Sequence, residues 1–215
     1  MLKVKRKIRS LWFILKFNGS ILFLLGLSVW FGSLVFFGAG VAPVHFNLAE
    51  AWEMSGNNPF MPAQPVYPET IGGALTANTI ERLNIVEMAS AIAMTLGLAL
   101  LWIPRINQTR WLIFLTATLA VNIALLIVYV FFIGERLFEI QQTIPLDFSI
   151  SNASEKSAIH KEFDTLHYWY SMLTKINLFV LFIHFILLSV QMAQNRVRRL
   201  SVSSLTESQF ASDTD

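Results

Sequence analysis

The residues of this chain that could do chemistry include histidines and hydroxyl side chains within its last apolar block. His167, Ser171, Thr174 and His184 occur there, and at 100° per residue the first three fall within about 40° of one line on a helix, with His184 about 100° from His167. Ionisable residues in an apolar helix are costly and usually face other helices, so this line predicts a polar face inside a bundle. His184 would lie roughly 25 Å from His167 along the helix axis. One metal ion therefore cannot bind both histidines.

A second set of polar residues lies at the ends of the apolar blocks, on what is predicted to be one side of the bundle. Its acidic and imidazole members are His45, Glu81, Glu87, Glu135, Glu139 and His167. Glu135 and Glu139 are four residues apart, so both carboxylates could reach one ligand from a single helical face. Imidazole together with carboxylate suits zinc, iron or copper(II). The sequence therefore predicts a cation site at this level, with His45 and His167 as metal ligands and Ser171 nearby.

Other interpretations of the same residues stay open. Arg82 could neutralise Glu81 or a carboxylate of another helix, which would make the polar residues a structural ion-pair network. A haem site that uses His45, His167 or His184 is a further alternative, because histidine is a common axial ligand of haem iron. The chain has no cysteine, which excludes thiolate metal sites and cysteine nucleophiles.

Four apolar blocks must position these residues. The chain of 215 residues is 54% hydrophobic and 14% charged, whereas typical globular proteins have about 25% charged residues. The blocks at about 17–42, 83–103, 111–133 and 168–192 are each near or above the ~20 residues that a helix needs to cross a bilayer. They lack the alternation of barrel strands. The sequence therefore predicts an all-α, polytopic membrane protein with a four-helix transmembrane bundle over residues 17–193.

The distribution of basic residues predicts the orientation of this bundle. Six of the 16 Lys and Arg residues precede Phe17, two lie in the short second loop and three follow the last block. Because cytoplasmic loops are enriched in Lys and Arg, both termini and the second loop are predicted to be cytoplasmic. Residues 1–16 are then a basic cytoplasmic N-terminus. Residues 194–215 form a cytoplasmic tail, which its Ser/Thr content predicts to be disordered.

The first apolar block invites two separate interpretations. It is longer than the ~7–15 residues of a typical signal-peptide core, so an uncleaved first helix is expected. Ser28, Gly32, Phe36 and Gly40 recur at every fourth position. Small residues at this spacing allow close approach of another helix, and we expect that helix to belong to the same chain.

Three segments carry a family resemblance: WFGSLVFFGAGVAPVHF (30–46), ERLNIVEM (81–88) and FDTLHYWYSMLTKINLF (163–179). They resemble the transmembrane protein 205-like family, a domain-of-unknown-function group of small four-helix membrane proteins, over roughly residues 20–190. The resemblance implies the same topology and a distant kinship with bacterial copper-resistance membrane proteins. It implies no reaction. The long basic N-terminus and the proline-rich first loop depart from that pattern.

These observations favour a membrane protein that binds, or helps to move, a cation at a polar site on the outer face. A structural or accessory membrane protein without a ligand and a haem-binding electron carrier are the alternatives. No enzyme is predicted, because the chain has no nucleophile with a recognisable base and no glycine-rich phosphate loop. The expected partners are the lipid bilayer and a second copy or another membrane protein. A net charge of +2 gives no reason to expect nucleic acid, and the expected location is a bacterial inner membrane.

Overall fold

The computed structural model describes residues 2–44, 47, 68–103, 109–143 and 158–212. Within these ranges the chain forms five α-helices and two π-helical segments, and no strand. The helices are α1 (Leu2–Phe36), α2 (Pro68–Trp102), α3 (Thr109–Ile127), α4 (Glu135–Thr143) and α5 (Ala158–Ser212). The π-helical segments are Phe37–Val41, directly after α1, and Val128–Gly134, which joins α3 to α4.

Four stretches of helix are long and apolar enough to cross a membrane. We call them spans 1 to 4, and they are Leu11–Val44, Leu75–Trp102, Arg110–Gln141 and Ala158–Gln191. Span 3 contains α3, the second π-helical segment and most of α4. Apolar side chains such as Phe36 and Phe132 are about 70% exposed on the outside of the bundle, as expected for surfaces that face lipid. The prediction of an all-α protein with four transmembrane helices is confirmed.

Two helices extend beyond their predicted bounds. Helix α2 begins at Pro68 and α5 runs from Ala158 to Ser212, whereas the predicted helices began at 83 and 168. Residues 158–212 contain neither glycine nor proline, so nothing in the backbone forces α5 to stop at the membrane boundary. The prediction of a disordered tail therefore differs from the structure, in which the tail is helical as far as Ser212.

The bundle is arranged up-down-up-down, as the contacts between its spans show. Gly19 and Gly26 of span 1 lie against Gly97 and Ser90 of span 2, so these spans are antiparallel. The indole of Trp102, near the end of span 2, donates a hydrogen bond to Thr116 near the start of span 3. Arg136, near the end of span 3, contacts Glu162 near the start of span 4. We call the end that carries Arg136 the loop-three end, and the opposite end, near Lys16 and Gln191, the termini end.

Glycine allows the backbones of spans 1 and 2 to touch. A Cβ atom built on Gly97 would lie 2.6 Å from the backbone nitrogen of Phe23 and 2.8 Å from the carbonyl oxygen of Gly19. A Cβ on Gly26 would lie 2.8 Å from the carbonyl oxygen of Ser90. Small residues at a helix interface permit this kind of approach in membranes, where van der Waals packing drives helix association. Around the contact, the side chains of Phe23 and Met94 are fully buried.

The small residues of the first apolar block that were predicted to pack against another helix of the chain do not form this contact. Ser28 and Gly32 are exposed, and a Cβ on Gly32 would meet nothing within 4 Å. The expectation that they pack within the chain is wrong. The buried face of span 1 instead carries Phe23, Leu27 and Trp30. The rotation of the helix follows these large apolar residues because their side chains make more van der Waals contacts within the bundle than small ones do.

We expect Gly97→Ala to destabilise the protein and Gly32→Ala to leave it nearly unchanged. The new methyl group at Gly97 would collide with backbone atoms that cannot move aside as a side chain does, and overpacking of this kind typically costs about 1–3 kcal/mol. Thermal unfolding of the two variants in detergent provides the comparison. Equal midpoints for both variants would show that spans 1 and 2 are not in backbone contact.

Candidate polar site in the bundle

Glu87 is a carboxyl group buried about midway along span 2. Its relative exposure is 1%, while the preceding residues Ile85 and Val86 point outward and are exposed. Burying a carboxylate in an apolar interior is very costly unless the charge is paired or neutralised. The groups around Glu87 must therefore pair with this carboxyl group or neutralise it.

A hydrogen-bonded chain connects Glu87 to spans 3 and 4. The hydroxyl of Tyr129 donates to Oε2 of Glu87 in a short hydrogen bond. The Nδ2 group of Asn177 in turn donates to the hydroxyl oxygen of Tyr129 over 3.0 Å. Tyr129 and Asn177 are both fully buried. Three spans thus contribute one polar side chain each to a single centre, which we call the Glu87 centre.

The π-helical segment Val128–Gly134 carries Tyr129 into this centre. π-turns inside α-helices are rare and often occur at functional sites. Gly134 fits the widened turn, because a Cβ atom there would lie 3.0 Å from the carbonyl oxygen of Tyr129 and 3.4 Å from the ring of Tyr170. The Tyr129 and Tyr170 rings pack edge to face with centroids 5.4 Å apart. The unusual backbone therefore coincides with the polar centre.

A second hydrogen bond lies one helical turn closer to the loop-three end. The hydroxyl of Tyr170 in span 4 donates to Oδ1 of Asn84 in span 2 over 3.0 Å. Asn84 precedes Glu87 by three residues, which places the two side chains on neighbouring positions of the same helical face. The Tyr170–Asn84 pair thus stands between the Glu87 centre and the loop-three end.

The carboxyl group of Glu87 forms no salt bridge with a basic residue in the described part of the chain. The salt bridges there join Arg136 to Glu139 and to Glu162 at the exposed loop-three end. The amide oxygen Oδ1 of Asn177 is buried and has no hydrogen-bond partner among the described residues. Buried polar atoms nearly always have partners. A carboxyl group without a basic partner and an acceptor without a donor thus belong to one hydrogen-bonded chain, which is a combination that a bound cation or proton would satisfy.

A separate polar cluster surrounds His184, nearer the termini end. Its Nε2 atom lies 3.0 Å from Oγ1 of Thr118, and its Nδ1 atom lies 3.0 Å from the carbonyl oxygen of Val180. The Nδ2 group of Asn122 is 3.4 Å from Nδ1. His184 and Asn122 are fully buried. Because both ring nitrogens are engaged, neither can ligate haem iron without losing a hydrogen bond.

Of the site residues predicted from the sequence, Glu87 is the one that the structure buries in a polar centre. Glu81, Arg82, Glu135, Glu139 and His167 are exposed, and Ser171 is half-buried. Glu139 is held by Arg136, and the His167 ring stacks on Phe163 with centroids 5.8 Å apart. His45 lies outside the described residues. In the described ranges, no group of three or more His, Asp or Glu side chains is arranged to hold a metal ion.

Sequence reasoning missed the tyrosines. In an apolar block, Tyr129 and Tyr170 look like aromatic residues at a membrane interface, where tyrosine is common. A usable signal was nevertheless present. Asn122 and Tyr129 are seven residues apart, as are Asn177 and His184, and a spacing of seven repeats one helical face every two turns.

Comparison with protein-family models, with curated proteins and with solved structures found no match. The four spans define the class of this chain as a multi-pass, all-helical membrane protein. The resemblance to the transmembrane protein 205-like family stays a prediction.

We expect Tyr129→Phe to destabilise the protein by roughly 1–2 kcal/mol, because it leaves Glu87 and Asn177 without their shared hydrogen-bond partner. Tyr168→Phe is the matched control, since the Tyr168 side chain is exposed. Thermal unfolding in detergent measures both. A Tyr129→Phe midpoint equal to that of the control would contradict the described network.

Gly134→Ala should disturb the Glu87 centre through the backbone. The added methyl group would press on the Tyr129 carbonyl oxygen, so the π-turn would have to shift and the tyrosine hydroxyl would move with it. Gly38→Ala is the control, because Gly38 lies in the first π-helical segment and a Cβ there meets nothing within 4 Å. Tyrosine ultraviolet difference spectra should change for Gly134→Ala and not for Gly38→Ala; the reverse result would mean that Gly134 does not position Tyr129.

Proposed function

We propose that this chain is an integral membrane protein that binds a small monovalent cation, such as Na⁺ or K⁺, at the Glu87 centre. The observation that carries the proposal is the buried Glu87 carboxyl group, which has no basic partner in the described residues and is linked through the Tyr129 hydroxyl to Asn177, whose Oδ1 is unpartnered. This is a more specific form of the cation-binding function expected from the sequence, moved from the outer face into the bundle.

The chemistry of the donors supports a hard cation. The residues that the hydrogen-bonded chain joins are Glu87, Tyr129 and Asn177, and each of their side chains carries oxygen: a carboxyl, a hydroxyl and an amide oxygen. Carboxylate and carbonyl oxygens suit hard cations, whereas imidazole and thiolate suit the transition metals predicted for the outer face.

The amount of charge supports a monovalent cation. One carboxylate neutralises one positive charge, so a divalent ion would leave a net charge in the apolar interior, which is strongly unfavourable. Calcium sites reach their affinity with several carboxylates. The interior of this bundle offers one, because the other described acidic residues of spans 2 to 4 are exposed or half-buried.

The orientation and the location belong to the same proposal. The excess of Lys and Arg at the N-terminus, in the second loop and after span 4 supports cytoplasmic termini, N-in and C-in. The termini end then faces the cytoplasm, and the Tyr170–Asn84 pair lies between Glu87 and the opposite side. We propose a bacterial inner membrane as the location. Four helices are few for a transporter, so movement of the cation across the membrane would require a second copy or a membrane partner.

One observation favours a structural role as the second candidate. The Tyr129–Glu87, Asn177–Tyr129 and Tyr170–Asn84 hydrogen bonds each join two different spans. Interhelical hydrogen bonds of this kind stabilise membrane bundles by themselves. In that case, Glu87 would be a permanently protonated packing residue that binds nothing.

Replacement of Glu87 separates the two candidates. Glu87→Gln keeps the size of the side chain and an oxygen that can accept from Tyr129, but it removes the charge. Isothermal titration of detergent-purified protein with NaCl and KCl should give near-stoichiometric binding in the wild type and more than tenfold weaker binding in Glu87→Gln. Asp164→Asn, which removes an exposed carboxylate from span 4, should bind as the wild type does.

Two further results would decide the matter. Binding should weaken as the pH falls, because a proton on the Glu87 carboxyl removes the charge that holds the cation. Equal affinity of Glu87→Gln and wild type, or no heat of binding with either salt, would contradict the proposal. Unfolding midpoints recorded on the same samples establish that each variant is folded.

A further inference from the structure

The hydrogen bonds of His184 are compatible with a charged imidazolium ring as well as with a neutral one. A doubly protonated ring has only N–H donors to offer. Nδ1 faces the carbonyl oxygen of Val180, and Nε2 faces Oγ1 of Thr118. The Thr118 hydroxyl lies 3.0 Å from the carbonyl oxygen of Phe114, to which it donates. The lone pairs of Thr118 are therefore available to a protonated Nε2.

Asn122 can adapt to either form of the ring. Its Nδ2 group lies 3.4 Å from Nδ1 of His184, and its Oδ1 atom is buried without a partner in the described structure. An amide offers donors at one end and an acceptor at the other. Turning the amide by half a revolution would present Oδ1 to a protonated Nδ1. The unpartnered oxygen is thus an unused hydrogen-bond acceptor on the residue next to His184, the one buried histidine among the described residues.

The His184 cluster and the Glu87 centre are stacked in register. Asn177 to His184 and Asn122 to Tyr129 are each seven residues, or about 10 Å along a helix axis. Spans 3 and 4 are antiparallel, so the two clusters form parallel layers. The buried side chains Leu126 and Leu181 lie between the layers along their helices. Two groups that can carry opposite charge are therefore separated by an apolar layer.

Charges at this distance are coupled. At an effective dielectric constant of about 20, unit charges 10 Å apart change each other's binding equilibria on the order of tenfold. An ionised Glu87 without a cation would favour a proton on His184. A cation bound at Glu87 would cancel that attraction. The interior would then hold a balanced charge in both states.

We propose that His184 is a proton-binding site coupled to the Glu87 centre, and that it releases its proton when a monovalent cation binds at Glu87. This inference rests on the proposed function. The exchange is balanced: one Na⁺ or K⁺ enters from solvent, one proton leaves the imidazolium for solvent, and the ring returns to its neutral form. The bundle would thus be a 1:1 cation–proton exchange site.

Few other groups can contribute to this titration. The His184 ring contacts the side chains of Thr118 and Asn122 of α3 and of Phe23 of α1, whose ring centroid is 5.9 Å from that of the histidine. None of them titrates in the physiological range. In the neighbouring layer, the titratable groups are Glu87 and Tyr129, and the Tyr170 ring packs against that of Tyr129.

Proton release on cation binding tests the inference directly. Detergent-purified protein in a weakly buffered solution with a pH indicator is mixed with NaCl or KCl, and choline chloride controls for ionic strength. In samples prepared over a series of pH values, the wild type should release a substantial fraction of one proton per bound cation at the pH values where His184 is protonated in the cation-free protein. His184→Gln should bind the cation, measured by titration calorimetry, and release at most a third as much. His160→Gln, the same change elsewhere on α5, should behave as the wild type does.

The possible outcomes distinguish the coupling of His184 from the binding of the cation at Glu87. Undiminished proton release from His184→Gln would overturn the inference, because the proton would then come from Glu87 itself. Cation binding by the wild type without proton release would also overturn it, while leaving the proposed function intact. No cation binding by folded wild type would remove the proposed function and this inference together. If His184→Gln does not fold, the ¹⁵N chemical shifts of the wild-type His184 ring provide a second measurement: they should move toward the neutral form on addition of NaCl or KCl, and unchanged shifts in cation-bound protein would contradict the coupling.

Discussion

A carboxyl group in the middle of an apolar bundle is the constraint on which the rest of this structure depends. Glu87 cannot be left ionised and alone in such a place, because the desolvation of an unpaired charge costs more than any single contact provides. The protein surrounds it with the Tyr129 hydroxyl and, through that tyrosine, with Asn177. Hydrogen bonds reduce the cost without cancelling the charge. This is why we assign the centre to a ligand that brings a positive charge.

Two backbone features allow the polar residues to meet. Gly19, Gly26 and Gly97 bring spans 1 and 2 into direct backbone contact, which fixes the rotation of span 2 and thereby turns Glu87 inward. The π-helical segment Val128–Gly134 shifts the register of span 3 so that Tyr129 points at the carboxyl group. Neither feature does chemistry. Both set the position of a buried polar side chain, and the glycines are required because a Cβ atom would occupy the space of a neighbouring backbone.

The class of fold could be predicted from the sequence because it depends on the length and apolar composition of whole blocks of residues and not on the position of any single side chain. Four apolar blocks of sufficient length allow one structural solution in lipid, the helix, unless they alternate as barrel strands do. The rotation of each helix about its axis was harder to predict, as Ser28 and Gly32 show. Their spacing is typical of a helix contact, yet large apolar residues on the other face of span 1 determine which side is buried. The site was predicted in part for the same reason. Glu87 was found from its charge, whereas Tyr129 required knowledge of a π-turn that no composition or periodicity reveals.

Infrared difference spectroscopy observes carboxylate groups directly and therefore tests whether the Glu87 carboxylate itself holds the cation. Spectra of membrane-reconstituted protein would be recorded with and without NaCl or KCl, for the wild type and for Glu87→Gln. We expect the cation to change the carboxylate stretching bands of the wild type, and we expect this change to be absent from Glu87→Gln. A wild-type spectrum that does not respond to either cation, or a response that persists in Glu87→Gln, would contradict this expectation.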